Sequence, residues 1–144
     1  MLTTDQIDFI CNAFAANQNT AGILLCGSYV YGKPTETSDL DIRIVTNDGS
    51  EFDGRGLRMF DTAIELREKP PDRIRRHFVI CLATANPCAI HYWAHGKIIL
   101  DRTGVLSELQ KEAQELWKRG PDSGTWIHKK AKHAVEPQNG STKR

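Results

Sequence analysis

The sequence predicts an α+β fold in which a mixed β-sheet of about four or five strands is flanked by helices. Segments with the apolar or alternating patterns of strands are interleaved with segments of helical periodicity, in the order helix, strand, strand, strand, helix, strand, helix. With 144 residues, the chain is long enough for one hydrophobic core. Its content of 40% hydrophobic and 26% charged residues is typical of globular proteins.

The N-terminal half begins with a helix and two strands. A helix is predicted over residues 4–17, because Thr3 and Gln6 form a capping-box pattern and apolar residues then recur at helical spacing. Residues 22–26 are continuously apolar, which is typical of a buried strand. Residues 40–45 alternate between apolar and polar, so we expect a strand with two different faces.

A third strand and a second helix are expected in the middle of the chain. Residues 47–50 and 53–56 are rich in Gly, Asp and Asn and are predicted to form turns. The next strand should then run over residues 57–67. The double proline at 70–71 ends it, and residues 72–82 have a helical pattern that such prolines can begin.

The C-terminal part is predicted to contain a short helix, a strand and a longer helix, over residues 87–93, 97–100 and 105–118. We therefore expect one catalytic domain over residues 1–120. Residues 121–144 lose periodicity and gain Pro, Gly, Ser and charge, so a partly or wholly disordered tail is expected. Trp126 and Ile127 are the one place where this tail is expected to dock.

Charge and hydropathy exclude several classes. The net charge of +1 gives no reason to expect nucleic acid or a membrane surface as partner. No segment has the roughly 20 apolar residues of a membrane span, and the N-terminus lacks a secretory signal pattern. The four cysteines have no Cys-x-x-Cys spacing, so reduced thiols are expected in place of a zinc site. These features predict a cytoplasmic protein.

Gly27 and Ser28 follow the predicted buried strand. Glycine allows a sharp turn and a close approach by a ligand, because it has no Cβ. Ser28 adds a hydroxyl that can reach a phosphate oxygen, and a short helix beginning there would direct free amides to the same place. Alone, this pair is better explained as an ordinary turn at a strand end.

Asp39 and Asp41 are two residues apart on the next predicted strand. Their side chains should share one face of the sheet, where two like charges repel and require a partner. A divalent cation is the natural partner, because Mg²⁺ prefers hard oxygen ligands and commonly takes one or two protein carboxylates. A solvated edge strand with two exposed aspartates is the alternative.

A third carboxylate is expected from a neighbouring strand. Asp61 and Glu65 are both candidates and share the same parity along the predicted strand. Glu65 lies between the apolar residues Ile64 and Leu66, which favours it as a ligand fixed on a sheet. A strand with a bulge would leave Asp61 open as the alternative.

The combination of these motifs resembles the DNA polymerase beta-like nucleotidyltransferases, in particular their small bacterial branch. The signature is Gly27-Ser28, a ten-residue spacer and Asp39-Leu-Asp41-Ile. The similarity continues through Ile64-Glu65-Leu before the double proline and through residues 94–101, so that it extends over about residues 5–120. In that branch the glutamate before the double proline is the third metal ligand, which implies Glu65 here.

The resemblance implies a nucleotidyltransferase fold and the transfer of a nucleoside monophosphate from a nucleoside triphosphate such as ATP to an acceptor, with release of pyrophosphate. It implies two Mg²⁺ ions, or Mn²⁺, held by Asp39, Asp41 and Glu65, with Gly27 and Ser28 binding the outer phosphates. The acceptor is either a small molecule or a protein. Drug-modifying relatives carry an additional helical domain, and a homodimer or a partner protein would have to complete the acceptor pocket in a chain of this length. A minimal antitoxin-type enzyme acting on or binding a partner protein and a non-catalytic nucleotide-binding module are the alternatives.

Other polar residues have weaker signals. Lys33 lies in the spacer loop, where a phosphate contact competes with simple solvation. Arg73, Arg75 and Arg76 form a basic cluster that is best explained as a solvated helix face. His91 and His95 have a spacing that can bind metal on a helix, but no third ligand is evident, so packing is the expected role.

Overall fold

The computed structural model describes residues 1–127. They form five helices and five strands, which confirms the predicted α+β class. In chain order the elements are α1 (Thr4–Ala15), β1 (Thr20–Cys26), α2 (Ser28–Tyr31), β2 (Leu40–Thr46), β3 (Phe52–Met59), β4 (Thr62–Lys69), α3 (Pro71–Thr84), α4 (Cys88–His95), β5 (Lys97–Asp101) and α5 (Val105–Arg119). No helix in this part of the chain is long and apolar enough to cross a membrane.

The five strands form one mixed sheet in the order β3-β4-β2-β1-β5. This order contains four pairs of neighbouring strands, of which the pair of β2 and β4 is parallel and the other three are antiparallel. In that pair Leu40 lies opposite Ile64 and Asp41 opposite Glu65. The antiparallel pair of β1 and β2 sets Cys26 opposite Asp41. Asp41 is therefore on a central strand, between the end of β1 and the middle of β4.

Each face of the sheet is covered by a separate apolar core. Alternation along β2 sends Ile42 and Ile44 to the face covered by α1, where Ile10 is fully buried. The opposite face carries Val45 of β2 and Leu24 of β1 and is covered by α3, α4 and α5. Asp41 has the parity of Val45, so it belongs to the face of the three C-terminal helices.

The predicted start of α1 is confirmed. The backbone amide of Gln6 donates to the Thr3 hydroxyl over 3.1 Å, and the amide of Thr3 donates to the side-chain oxygen of Gln6 over 2.9 Å. These two bonds are the reciprocal pair of a capping box, which satisfies two free donors at the helix N-terminus.

The single strand predicted over residues 57–67 is wrong. Two antiparallel strands, β3 and β4, occupy this region and are joined by a turn at Phe60 and Asp61. The φ angles of these turn residues are 50° and 60°, the left-handed conformation required by the tightest hairpin turns. Asn-Gly or Asp-Gly usually occupies such a turn, so Phe-Asp gave no signal for it.

The turn predicted over residues 53–56 is also wrong, because these residues lie inside β3. The pairing of β3 with β4 shifts between Gly54 and Leu57, and Gly56 has a φ of 75°. The glycines thus accommodate a bulge in an edge strand instead of ending it.

The segment after α5 packs back onto the C-terminal helices. Trp126 is 3% exposed and stacks on Trp117, with ring centroids 5.8 Å apart and planes inclined by 11°. The amide of Ile127 donates to the carbonyl of Ala85 over 2.6 Å. Residues 128–144, the larger part of the tail expected from the sequence, lie outside the described residues.

Candidate active site

Gly27 forms the turn between β1 and α2. Its φ of 82° lies in the left-handed region, which side chains rarely adopt. A Cβ added there would collide with the Oδ2 atom of Asp41. Glycine is therefore required at this position by both the backbone conformation and the close approach of Asp41.

Three carboxylates line one cavity of about 530 Å³. The register of β2 and β4 sets Asp41 beside Glu65, and Asp39 lies one residue before β2. Asp39 is exposed, whereas Asp41 is 9% exposed. The rest of the wall consists of residues from the loop between α2 and β2 and one aromatic side chain of α4: Lys33, Thr35, Thr37, Ser38 and Tyr92.

Hydrogen bonds within the loop between α2 and β2 fix part of this wall. The amide of Thr35 donates to the Ser38 hydroxyl over 2.8 Å. The amide of Thr37 donates to the Thr35 hydroxyl over 3.3 Å. The loop is thus held in one conformation by its own side chains, with Lys33 at the cavity.

Arg43 is a component of the site that the sequence analysis missed. Its guanidinium donates to Oε1 of Glu65 over 3.1 Å and lies 5.1 Å from the ring centroid of Tyr92. The side chain of Arg43 is 12% exposed and that of Glu65 is 38% exposed, so the arginine is the more buried partner of this ion pair. Arg43 follows Asp39 and Asp41 with the same period of two, and this parity was the signal that would have placed it on the same face.

The electrostatics of the site are dominated by the buried Asp41. Burial, the neighbouring carboxylate of Glu65 and, to a smaller extent, Asp39 raise the pKa of Asp41 from 3.8 to about 7, and the opposing effect of Arg43 does not offset them. Since this carboxylate is buried among like charges, its ionised form is unfavourable without a further cation.

The carboxylates of the cavity match part of the ligand set of a divalent cation. Within residues 1–127, no three His, Cys, Asp or Glu side chains are placed so as to hold one metal ion together. The carboxylate of Glu65 is bonded to Arg43 instead. Asp39 and Asp41 nonetheless supply the hard oxygen ligands that Mg²⁺ prefers, next to a buried charge that lacks compensation. The residues fit a cation on the two aspartates, and Glu65 would join by exchanging Arg43 for the metal.

Three other candidates, Gly27, Ser28 and Asp61, do not line this cavity, although Gly27 closely approaches Asp41, which does. Asp61 lies in the turn between β3 and β4 and does not line it. Ser28 is 4% exposed and does not line it either. A role for Ser28 in phosphate binding would therefore require its hydroxyl to become accessible.

Other polar candidates from the sequence are packed against aromatic rings or form ion pairs. His91 is 2% exposed, and its ring centroid lies 4.5 Å from that of His95 and 5.2 Å from that of Trp117. Arg75 donates to Glu112 over 2.8 Å, so at least one member of the basic cluster on α3 joins that helix to α5. The two histidines lie among aromatic rings and do not line the cavity of the three carboxylates.

Comparison with known proteins agrees with the fold described above. The sequence model of the nucleotidyltransferase domain matches residues 7–105. Among solved structures, a nucleotidyltransferase-like protein from Exiguobacterium sibiricum 255-15 has a similar fold, with a TM-score of 0.56 and 22% sequence identity. The match covers 74% of this chain and 37% of that one, so the chain spans well under half the length of this neighbour. No curated protein matches the sequence.

An α+β fold with a glycine turn beside paired carboxylates defines the class of nucleotidyltransferase-type domains. The matched range is more than two thirds of the sequence and contains Gly27, Asp39, Asp41 and Glu65. The chain belongs to the nucleotidyltransferase domain family, which confirms the membership inferred from its motifs.

Proposed function

We propose that this protein is a metal-dependent enzyme that transfers a nucleoside monophosphate from a nucleoside triphosphate to an acceptor hydroxyl. The observation that carries the proposal is the convergence of Asp39, Asp41 and Glu65 on one cavity beside the Gly27 turn. Such transfer needs little covalent help from protein groups and depends mainly on positioning and on neutralisation of charge. The cavity offers groups for both tasks.

In the proposed reaction, the acceptor oxygen forms a bond to the α-phosphorus of the triphosphate. The bond from that phosphorus to the bridging oxygen breaks, and pyrophosphate leaves with the bonding electrons while the hydroxyl proton passes to solvent. A divalent cation held by Asp39, Asp41 and Glu65 would supply the positive charge that the phosphate oxygens need.

The residues of the chain contribute orientation around this reaction. Gly27 leaves room for the carboxylate of Asp41 at the turn after β1. An outer phosphate would approach the same turn. Lys33, on the ordered loop, is the cation of the acidic cavity and is available to the outer phosphates. Tyr92 lines the cavity with an aromatic ring that contacts Arg43.

A second candidate function is nucleotide binding without catalysis. The ion pair of Arg43 and Glu65 favours it, because an arginine at this position already satisfies the carboxylate that the reaction would assign to metal. Under this alternative a nucleotide would bind equally well without Mg²⁺ and after loss of Asp41.

The two candidates are separated by calorimetric titration with ATP, GTP, CTP and UTP, each with Mg²⁺ and with EDTA. We expect at least one nucleotide to bind with Mg²⁺ and to bind at least about tenfold more weakly in EDTA or to Asp41→Asn. Glu36→Gln removes a carboxylate from the exposed loop outside the cavity lining and is the matched control. Binding that ignores both Mg²⁺ and Asp41 would support the non-catalytic module, and no binding at all would contradict both.

A further inference from the structure

A second cavity adjoins the acidic one and has the opposite charge. Its volume is about 180 Å³, roughly six times the share of one water molecule in the liquid. Glu65 and Tyr92 line both cavities, so they form the wall between them. The charged side chains on the new side are mostly basic: Arg43, Arg67, Lys69 and His77.

The register of the parallel strands explains why these cations converge. Arg43 of β2 lies opposite Arg67 of β4, and Lys69 follows Arg67 with the period of two that keeps both on one face. This is the face covered by α3 and α4, which contribute His77 and Tyr92 to the cavity. Three permanent cations therefore share a small space with the single carboxylate of Glu65.

The cations differ in how far their charge is compensated. Arg43 is bonded to Glu65 over 3.1 Å, while the nearest approach of Arg67 to that carboxylate is 3.7 Å, outside hydrogen-bond distance. Lys69 lies 3.4 Å from Asp53 and 3.6 Å from Glu51, two carboxylates that do not line the cavity. Should Glu65 turn to a metal, Arg43 would lose its partner and the cavity would become more positive.

The pKa of His77, which lines this cavity, also indicates a positive environment. Partial desolvation and the neighbouring cations Lys69, Arg73 and Arg67 lower the pKa of His77, and the opposing effect of Glu51 is smaller. A positive environment of this kind attracts an anion and repels a cationic acceptor.

Building on the nucleotidyl transfer proposed above, we propose that this basic cavity binds the phosphate group of a phosphorylated acceptor. The guanidinium groups of Arg43 and Arg67 suit the planar pairing that arginine makes with phosphate oxygens, and Lys69 adds a third charge for a dianion. The acceptor's hydroxyl would then reach the acidic cavity past the shared wall of Glu65 and Tyr92. Polycationic acceptors are disfavoured by the same charges.

Binding of inorganic phosphate tests the inference without requiring catalysis. Phosphate would be titrated into the protein in EDTA, at constant ionic strength, and followed by backbone amide NMR shifts, with acetate as the comparison anion. We expect saturable phosphate binding that shifts the amides of β4, and no saturable binding of acetate. The variant Arg67→Gln/Lys69→Gln should weaken binding at least about tenfold. Arg67→Gln alone changes a side chain that is 40% exposed and serves if the double variant does not fold.

Arg76→Gln is the matched control, because Arg76 is exposed on α3 and does not line the cavity. Like Arg67→Gln alone, it removes one positive charge, but it should change phosphate affinity by less than about twofold. Equal weakening by the control and by the double variant would reduce the effect to general charge and overturn the inference. So would the absence of saturable phosphate binding, equal binding of acetate, or loss of phosphate binding in Ser28→Ala but not in the double variant.

A competition experiment separates this inference from the proposed function. Saturating phosphate should leave the affinity for the Mg²⁺-bound nucleotide unchanged or raise it, because the two ligands occupy different cavities and release of Arg43 by the metal would favour phosphate as well. Direct competition would assign the basic cavity to the nucleotide and overturn the acceptor site. Failure of every nucleotide to bind would contradict the proposed function while the phosphate titration still decides whether the anion site exists.

Discussion

Replacing Asp41 by asparagine should stabilise the metal-free protein, although it removes a central residue of the proposed site. Burial together with Glu65 and Asp39 raises the pKa of this carboxyl from 3.8 to about 7. A carboxyl with a higher pKa in the folded than in the unfolded chain destabilises the fold when it is ionised. The penalty is fully present above pH 7 and is lost as the pH falls from about 7 towards 4.

The size of the effect follows from the shift. About three pH units at about 1.36 kcal/mol each set an upper limit of about 4 kcal/mol. Local relaxation reduces this value, so at pH 8 we expect Asp41→Asn to raise the free energy of unfolding by about 2–4 kcal/mol. At pH 5 the folded carboxyl is protonated while the unfolded one is still ionised, and the gain should fall to about 1–2 kcal/mol.

Urea unfolding in EDTA at pH 8 and pH 5 measures both values. Glu36→Gln, a neutralised carboxylate in an exposed loop, should stay within about 0.5 kcal/mol of the parent protein at each pH. The same Asp41→Asn variant should lose nucleotidyl transfer. An asparagine variant that is less stable than the parent at pH 8, or a gain that does not change with pH, would refute the electrostatic reasoning.

Three further predictions concern the glycine turn, the docked tryptophan and metal binding. Gly27→Ala and Gly49→Ala both place a side chain at a φ near 80°, but only the alanine at position 27 would meet Asp41. In urea unfolding, Gly49→Ala should lower the free energy of unfolding by about 1 kcal/mol and Gly27→Ala by at least about 1 kcal/mol more, and Gly27→Ala should also lose nucleotide binding. Equal costs for the two variants would contradict the contact with Asp41. Trp126→Ala should lower the free energy of unfolding by about 3 kcal/mol because the ring is buried. Ile127 is 38% exposed, so Ile127→Ala should cost under about 1 kcal/mol. A similar small cost for both variants would show that the segment does not dock. In thermal unfolding, Mg²⁺ at about 100 times its dissociation constant should stabilise the parent protein by about 2.7 kcal/mol and leave Asp41→Asn nearly unchanged. Equal stabilisation of the two proteins would place the ion elsewhere.

Much of the fold was predictable because its patterns are local. The capping box of α1, the apolar run of β1 and the alternation of β2 each depend on residues within one segment. The hairpin at Phe60 and Asp61 was not predictable from such patterns, because its left-handed turn is imposed by the pairing of β3 and β4 on residues that do not favour it.

In the candidate site, too, some residues could be predicted from local patterns and others depend on tertiary packing. The period of two along β2 and the apolar flanks of Glu65 were enough to nominate three carboxylates, which the register of β2 and β4 brings to one cavity. The role of Arg43 depends on β4 and α4, and the burial of Ser28 depends on how the turn after β1 packs, so both are properties of tertiary packing. The exclusion of Asp61 follows from the hairpin that the sequence did not reveal.

The position of a bound metal ion is the most direct test of the proposal that Asp39, Asp41 and Glu65 form a metal site. Crystals soaked with Mn²⁺ and a non-hydrolysable nucleotide would be measured at a wavelength where manganese scatters anomalously. The proposed function predicts an anomalous peak bonded to Asp39 and Asp41, with the carboxylate of Glu65 turned from Arg43 to the ion. A peak beside Asp61, or a nucleotide bound with no manganese at the two aspartates, would contradict it.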